Sequence, residues 1–83
     1  MEATIDNLTL TVRMAIPDAE VFAESPDGVH FSALVVSPKF EGMNLIAQHR
    51  LVMNALKDEF DSARLHAMQL KTMTPDQYRS AAQ

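Results

Sequence analysis

The stretch Arg64-Leu65-His66-Ala67-Met68-Gln69-Leu70-Lys71-Thr72 alternates as a β-strand does and sets His66 on one face with Met68 and Leu70. A strand here makes it the third in the chain, and what precedes it decides the kind of sheet. Residues 44–61 carry the strongest helical pattern. At 100° per residue, Leu45, Ile46, His49, Val52, Met53, Leu56 and Phe60 fall in one stripe roughly 120° wide, expected to face the sheet. Further upstream, residues 19–24 and 29–37 flank Ser25-Pro26-Asp27-Gly28, with Pro and Gly where a type I turn favours them, which predicts a β-hairpin. Strand, crossover helix and strand form a βαβ unit, so the second and third strands run parallel if they share a sheet. Parallel strands start at the same edge. His30 lies near the start of the second strand and His66 near the start of the third, so the two imidazoles, 36 positions apart, are expected as neighbours on one rim.

Outward from this unit the pattern is mixed. Thr74-Pro75-Asp76-Gln77 supplies an N-cap, a proline at the first helical position and a capping-box Gln, predicting a short final helix that Tyr78 anchors by its ring. Residues 5–16 fit two structures: Ile5, Leu8 and Val12 suit a helical face, while Leu8-Thr9-Leu10-Thr11-Val12 alternates as a strand would.

Composition limits the function. Eighty-three residues make one domain, spanning 1–83, with a core near the lower limit for independent stability and no room for a large buried active site. With no cysteine, the chain alone builds neither disulfides nor a Cys-based metal centre. The N-terminus leads into no apolar targeting segment, and the longest aliphatic run, residues 33–36, is too short to cross a bilayer; a cytoplasmic protein, monomeric on its own, is expected. The net charge of −4 is unevenly spread: residues 1–30 hold one cation against six carboxylates, whereas residues 31–83 hold six cations against five. DNA is then bound only through a local basic patch.

Three histidines and a few cations are the candidates for chemistry. His49, central in the helical stripe, reads as a core histidine. His66 reads either as a half-buried sheet residue or as a metal ligand, and His30, just past the hairpin turn, either as solvated or as a second ligand. Arg50 and Lys57 share one flank of the helix; with Lys39 and the Phe40-Glu41-Gly42 turn they form a strip that would meet phosphate, although Asp58, Glu59 and Asp61 follow closely. No nucleophile elbow, Gly-rich phosphate loop or paired-carboxylate spacing is present, so an enzyme is not expected.

Val35-Val36-Ser37-Pro38-Lys39-Phe40-Glu41-Gly42, Gln48-His49-Arg50-Leu51-Val52, Leu65-His66-Ala67 and Leu70-Lys71-Thr72-Met73-Thr74-Pro75 together closely resemble the BolA family of small stress-associated proteins. The short N-terminus and acidic balance look more like its compact bacterial branch, the IbaG or YrbA type. The resemblance implies an α+β fold, αββαβα with a three-stranded mixed sheet, similar to a class II KH domain, and so makes the first segment a helix. It also implies two lines of function. Family members pair with monothiol glutaredoxins through a glutathione-dependent [2Fe-2S] cluster, and some are DNA-binding transcriptional regulators linked to stress and cell shape. In the first role the residue matching His66 is the shared cluster ligand, with thiolates from glutaredoxin and glutathione. Many members place a Cys or His in the hairpin loop as the second ligand. Here the loop offers His30 at its far end, or Asp27, or no ligand at all. In the second role Lys39, Gly42, Arg50 and Lys57 would face nucleic acid, and Gln48, standing where the family's Arg-His-Arg triplet has its first arginine, would remove one cation from that surface.

Overall fold

The structure, a computed structural model, describes residues 4–82; the side chains of Arg64, His66 and Ala82 lie outside the described part. Helix α1, Ile5–Ala15, starts at Thr4, whose hydroxyl accepts the Asn7 N–H at 3.1 Å. Leu8, Val12 and Ile16, each four residues apart, are buried, while Leu10 stays exposed. A strand would have put Leu8, Leu10 and Val12 on one face, so the helix buries what alternation could not.

Strands β1, Glu20–Glu24, and β2, Ser32–Val36, pair antiparallel with Glu20 opposite Val36 and Glu24 opposite Ser32. The hairpin closes through the Gly28 N–H on the Ser25 carbonyl at 3.3 Å, and Gly28 takes φ +73°, a region that disfavours side chains. β2 is central: β3, Gln69–Met73, pairs with it in parallel, Ser32 opposite Gln69 and Val36 opposite Met73, giving the order β1-β2-β3. The mixed sheet is the one expected. After β2, a single 3-10 turn over Pro38–Phe40 leads through Gly42, at φ +80°, to helix α2, Leu45–Leu56.

Two expectations need correction. The stripe of α2 that meets the sheet runs through Gln48, Val52 and Leu56, not through His49; His49 is half-buried, and Leu45 and Ile46 are 59% and 66% exposed. The sequence pattern passed over Gln48 because it is polar. Its amide is satisfied: Nε2 donates to the Met43 carbonyl at 2.9 Å and Oε1 accepts from Thr72 Oγ1 at 2.7 Å. Phe60 is buried as expected, but in a turn beyond the helix, its N–H on the Leu56 carbonyl at 3.0 Å.

The second correction concerns residues 64–67. They are not strand but part of a short helix α3, Ser62–Ala67, opened by the Leu65 N–H on the Asp61 carbonyl at 3.1 Å and anchored by buried Leu65. The reason lies in the partner. β2 begins at Ser32, and the parallel ladder starts where the Gln69 N–H meets the Phe31 carbonyl at 2.8 Å; before that point the hairpin loop offers no strand to pair with. The supposed strand face shared by His66, Met68 and Leu70 is therefore absent.

The capping box forms as read: Thr74 N–H donates to Gln77 Oε1 at 2.9 Å and Gln77 N–H to Thr74 Oγ1 at 3.2 Å, starting helix α4, Pro75–Ala82. Tyr78 stacks on Phe22 of β1, centroids 5.3 Å apart and planes 17° from parallel, which pins α4 to the sheet. On the other face Val12, Val35, Phe40, Val52 and Leu56 join in the core. Among the described residues no helix is long and apolar enough to cross a membrane.

Candidate functional site

The hairpin loop is organised by one carboxylate. Asp27 Oδ1 accepts the backbone N–H of Val29 and of His30, both at 2.8 Å, and Oδ2 lies 2.7 Å from His30 Nδ1. Ser25 Oγ donates to the His30 carbonyl at 2.7 Å, so the His30 backbone is held at both ends. The next residue, Phe31, is buried and ties the loop to the core. The His30 ring itself is 68% exposed. Among the described residues no group bonds its Nε2.

The His30 side chain, followed by the His30 and Val29 amides, holds the Asp27 carboxyl well below the usual carboxylate range. A carboxyl lowered by folding contributes stability above its unfolded value, near 3.9, and loses it as pH falls through the lower folded value. The Val29 and His30 amide resonances are therefore expected to hold their loop positions through pH 3.9 and to titrate only below it. A midpoint at the ordinary value would mean that these bonds do not form. Because the pair is exposed, global stability should scarcely follow.

The second histidine reaches the same place from another element. His66 lies in α3, three residues before Gln69, and His30 lies two before Ser32, with Ser32 and Gln69 opposite each other at the start of the parallel pair. Both histidine-bearing segments thus come to one edge of the sheet, His66 on a helix rather than a strand. Its side chain, and with it the expected approach of the two imidazoles, is outside the described part. Among the described residues no three His, Asp or Glu side chains gather to hold a metal ion. With no cysteine, the chain can offer an iron–sulfur group only imidazole or carboxylate, and an exposed ring with Nε2 unbonded fits one such position.

The cations distribute differently. Lys39 is exposed in the 3-10 turn, Gly42 is exposed near it, and Arg50 on α2 and Lys57 at its C-cap are exposed, roughly 10 Å apart along the axis by helical rise. Arg50 borders a shallow groove of about 560 Å³ whose other walls include Met43, Ile46 and Leu51. The seven-residue spacing puts Arg50 and Lys57 on one flank of the helix. Gln48 is not part of that surface: it is buried against Thr72, so its identity there changes packing rather than surface charge. What the sequence reading missed is the bond between Asp27 and His30, treated there as rival ligands. The spacing was the available signal, since an Asp two and three residues ahead of backbone N–H groups makes an Asx-type turn.

Comparison with known proteins identifies the family and the fold. The family model described as BolA-like protein matches residues 2–77. The mouse BolA-like protein 2 is 37% identical over 82 residues, covering 94% of this chain and 93% of that protein. The UV-induced protein uvi31 of Schizosaccharomyces pombe is 53% identical over 49 residues, 58% of this chain and 47% of that one. Several curated relatives are longer, and this chain spans less than half their length. A solved bolA homologue from Coxiella burnetii superposes with a TM-score of 0.78 at 39% identity, over 94% of this chain and 99% of that one. Sequence motifs, sheet order and superposition agree, and the chain belongs to the BolA-like family.

Proposed function

We propose that this chain is an adaptor that pairs with a monothiol glutaredoxin through a glutathione-dependent [2Fe-2S] cluster, in iron–sulfur cluster trafficking or in iron and stress regulation. The observation that carries the reading is the meeting of the His30 and His66 segments at one edge of the sheet in a chain that has no cysteine. Such a chain needs thiolates from elsewhere and contributes the less charged ligands. Imidazole in place of thiolate removes negative charge from a cluster and raises its potential. His66 would be the shared ligand, and His30, presented by the hairpin loop, the second.

The test is a titration of this protein into glutathione-loaded, cluster-bearing monothiol glutaredoxin, followed by visible circular dichroism. The wild type is expected to change the cluster spectrum, His66→Ala to abolish the change, and His30→Ala to alter its shape. Failure of the wild type to associate or to change the spectrum would sink the proposal. A second reading, a KH-like DNA-binding regulator, draws on the exposure of Lys39, Arg50 and Lys57. The name of the fission-yeast relative also ties that protein to UV induction. Glu41, Asp58 and Glu59, exposed beside those cations, weaken a phosphate-binding surface and place this reading second.

A further inference from the structure

We infer that Asp27 is a positioning residue for His30: it holds the ring as the Nδ1–H tautomer and leaves Nε2 as the lone pair facing outward. An ionised carboxylate only accepts, so the 2.7 Å contact between Oδ2 and Nδ1 needs its proton on the ring nitrogen. In a neutral imidazole the other nitrogen then carries the lone pair. Oδ1 is meanwhile committed to two backbone N–H groups of the loop, which fixes the plane of the carboxylate and hence the ring that leans on it. Of the four lone-pair sites of the carboxylate, two hold the turn and a third holds the ring. The arrangement matches the carboxylate–histidine pairing that orients ligating imidazoles and raises their basicity. Its consequence for a shared cluster rests on the function proposed above; the tautomer does not.

Asp27→Asn separates position from proton. The Asn Oδ1 still accepts the Val29 and His30 amides, so the turn survives, but Nδ2 is a donor and favours His30 Nδ1 as an acceptor. The proton then moves to Nε2 and blocks the outward lone pair. Both proteins would be labelled with 15N-histidine and the ring nitrogens of the neutral imidazole assigned from two-bond 1H–15N correlations at alkaline pH. The expected result is a majority Nδ1–H tautomer in the wild type and a majority Nε2–H tautomer in the variant, with backbone amides beyond the loop unmoved. A majority Nε2–H tautomer in the wild type, or the same ratio in both proteins, would overturn the inference. The same pair is then added to cluster-bearing glutaredoxin. If the tautomer inverts and the variant's spectral change is altered as in His30→Ala, both proposals stand. If the tautomer inverts while wild type and variant both leave the cluster spectrum untouched, the positioning role holds and the adaptor reading fails.

Discussion

Phe40→Ala is expected to remove about 3–5 kcal/mol of folding stability, the range for emptying a fully buried aromatic site. Phe40 is 0% exposed and is the largest of the fully buried side chains, lying where the 3-10 turn dives under α2. The loss is severe because the domain is small: a chain of this size has roughly 5–15 kcal/mol in total, and each kcal/mol moves the midpoint by about 4–8 °C. Urea denaturation of the two proteins measures it, and a fall in midpoint with unchanged slope would locate the effect in the native state. A loss below about 1 kcal/mol would mean that the turn collapses onto the vacated space, contrary to the close packing assigned to it.

This expectation bears on what the most recognisable stretch of the chain is for. In Val35-Val36-Ser37-Pro38-Lys39-Phe40-Glu41-Gly42, the Val35, Val36, Ser37 and Phe40 side chains are buried. The Ser37 N–H bonds the Met73 carbonyl at 3.1 Å, and Ser37 Oγ accepts the Lys39 N–H at 3.0 Å. In Phe40-Glu41-Gly42 only Glu41 and Gly42 are exposed and open to the proposed phosphate contact; the rest of the stretch ends a strand and starts a helix. The hairpin and the final capping box were legible because a Pro, a Gly or a hydroxyl at one position fixes a local hydrogen bond. The rotation of α2 and the start of β3 were not, because each depends on a partner distant in sequence. Gln48 is buried only because Thr72, 24 residues on, supplies its donor, and residues 64–67 coil only because β2 begins no earlier than Ser32. The candidate site divides the same way. His30 and Asp27 were visible as residue types, but their bond is a property of loop geometry.

The buried Gln48–Thr72 pair gives the second large expectation. Thr72→Val keeps the β-branched shape that suits β3 but removes the hydroxyl donor, leaving the Gln48 carbonyl in a site where both residues are more than nine-tenths buried. An orphaned buried acceptor of this kind costs about 1–3 kcal/mol. Gln48→Leu alone is expected to cost a similar amount, since it orphans the Thr72 hydroxyl and withdraws the donor from the Met43 carbonyl. Replacing both together removes the mismatch between them, so the double variant should lose clearly less than the sum of the singles. Additive losses would show that the two side chains do not act as a pair. The Met43 carbonyl remains without Gln48 in either Gln48 variant, and this sets where the residual loss appears. Hydrogen exchange should accelerate at Met43 and at the start of α2, beside exposed Lys39 and Gly42, while the Asp27–His30 loop at the strand-start edge keeps its protection. The buried amide would then be seen to order the basic turn and not the histidine edge, so the two candidate surfaces of this small domain can be perturbed one at a time.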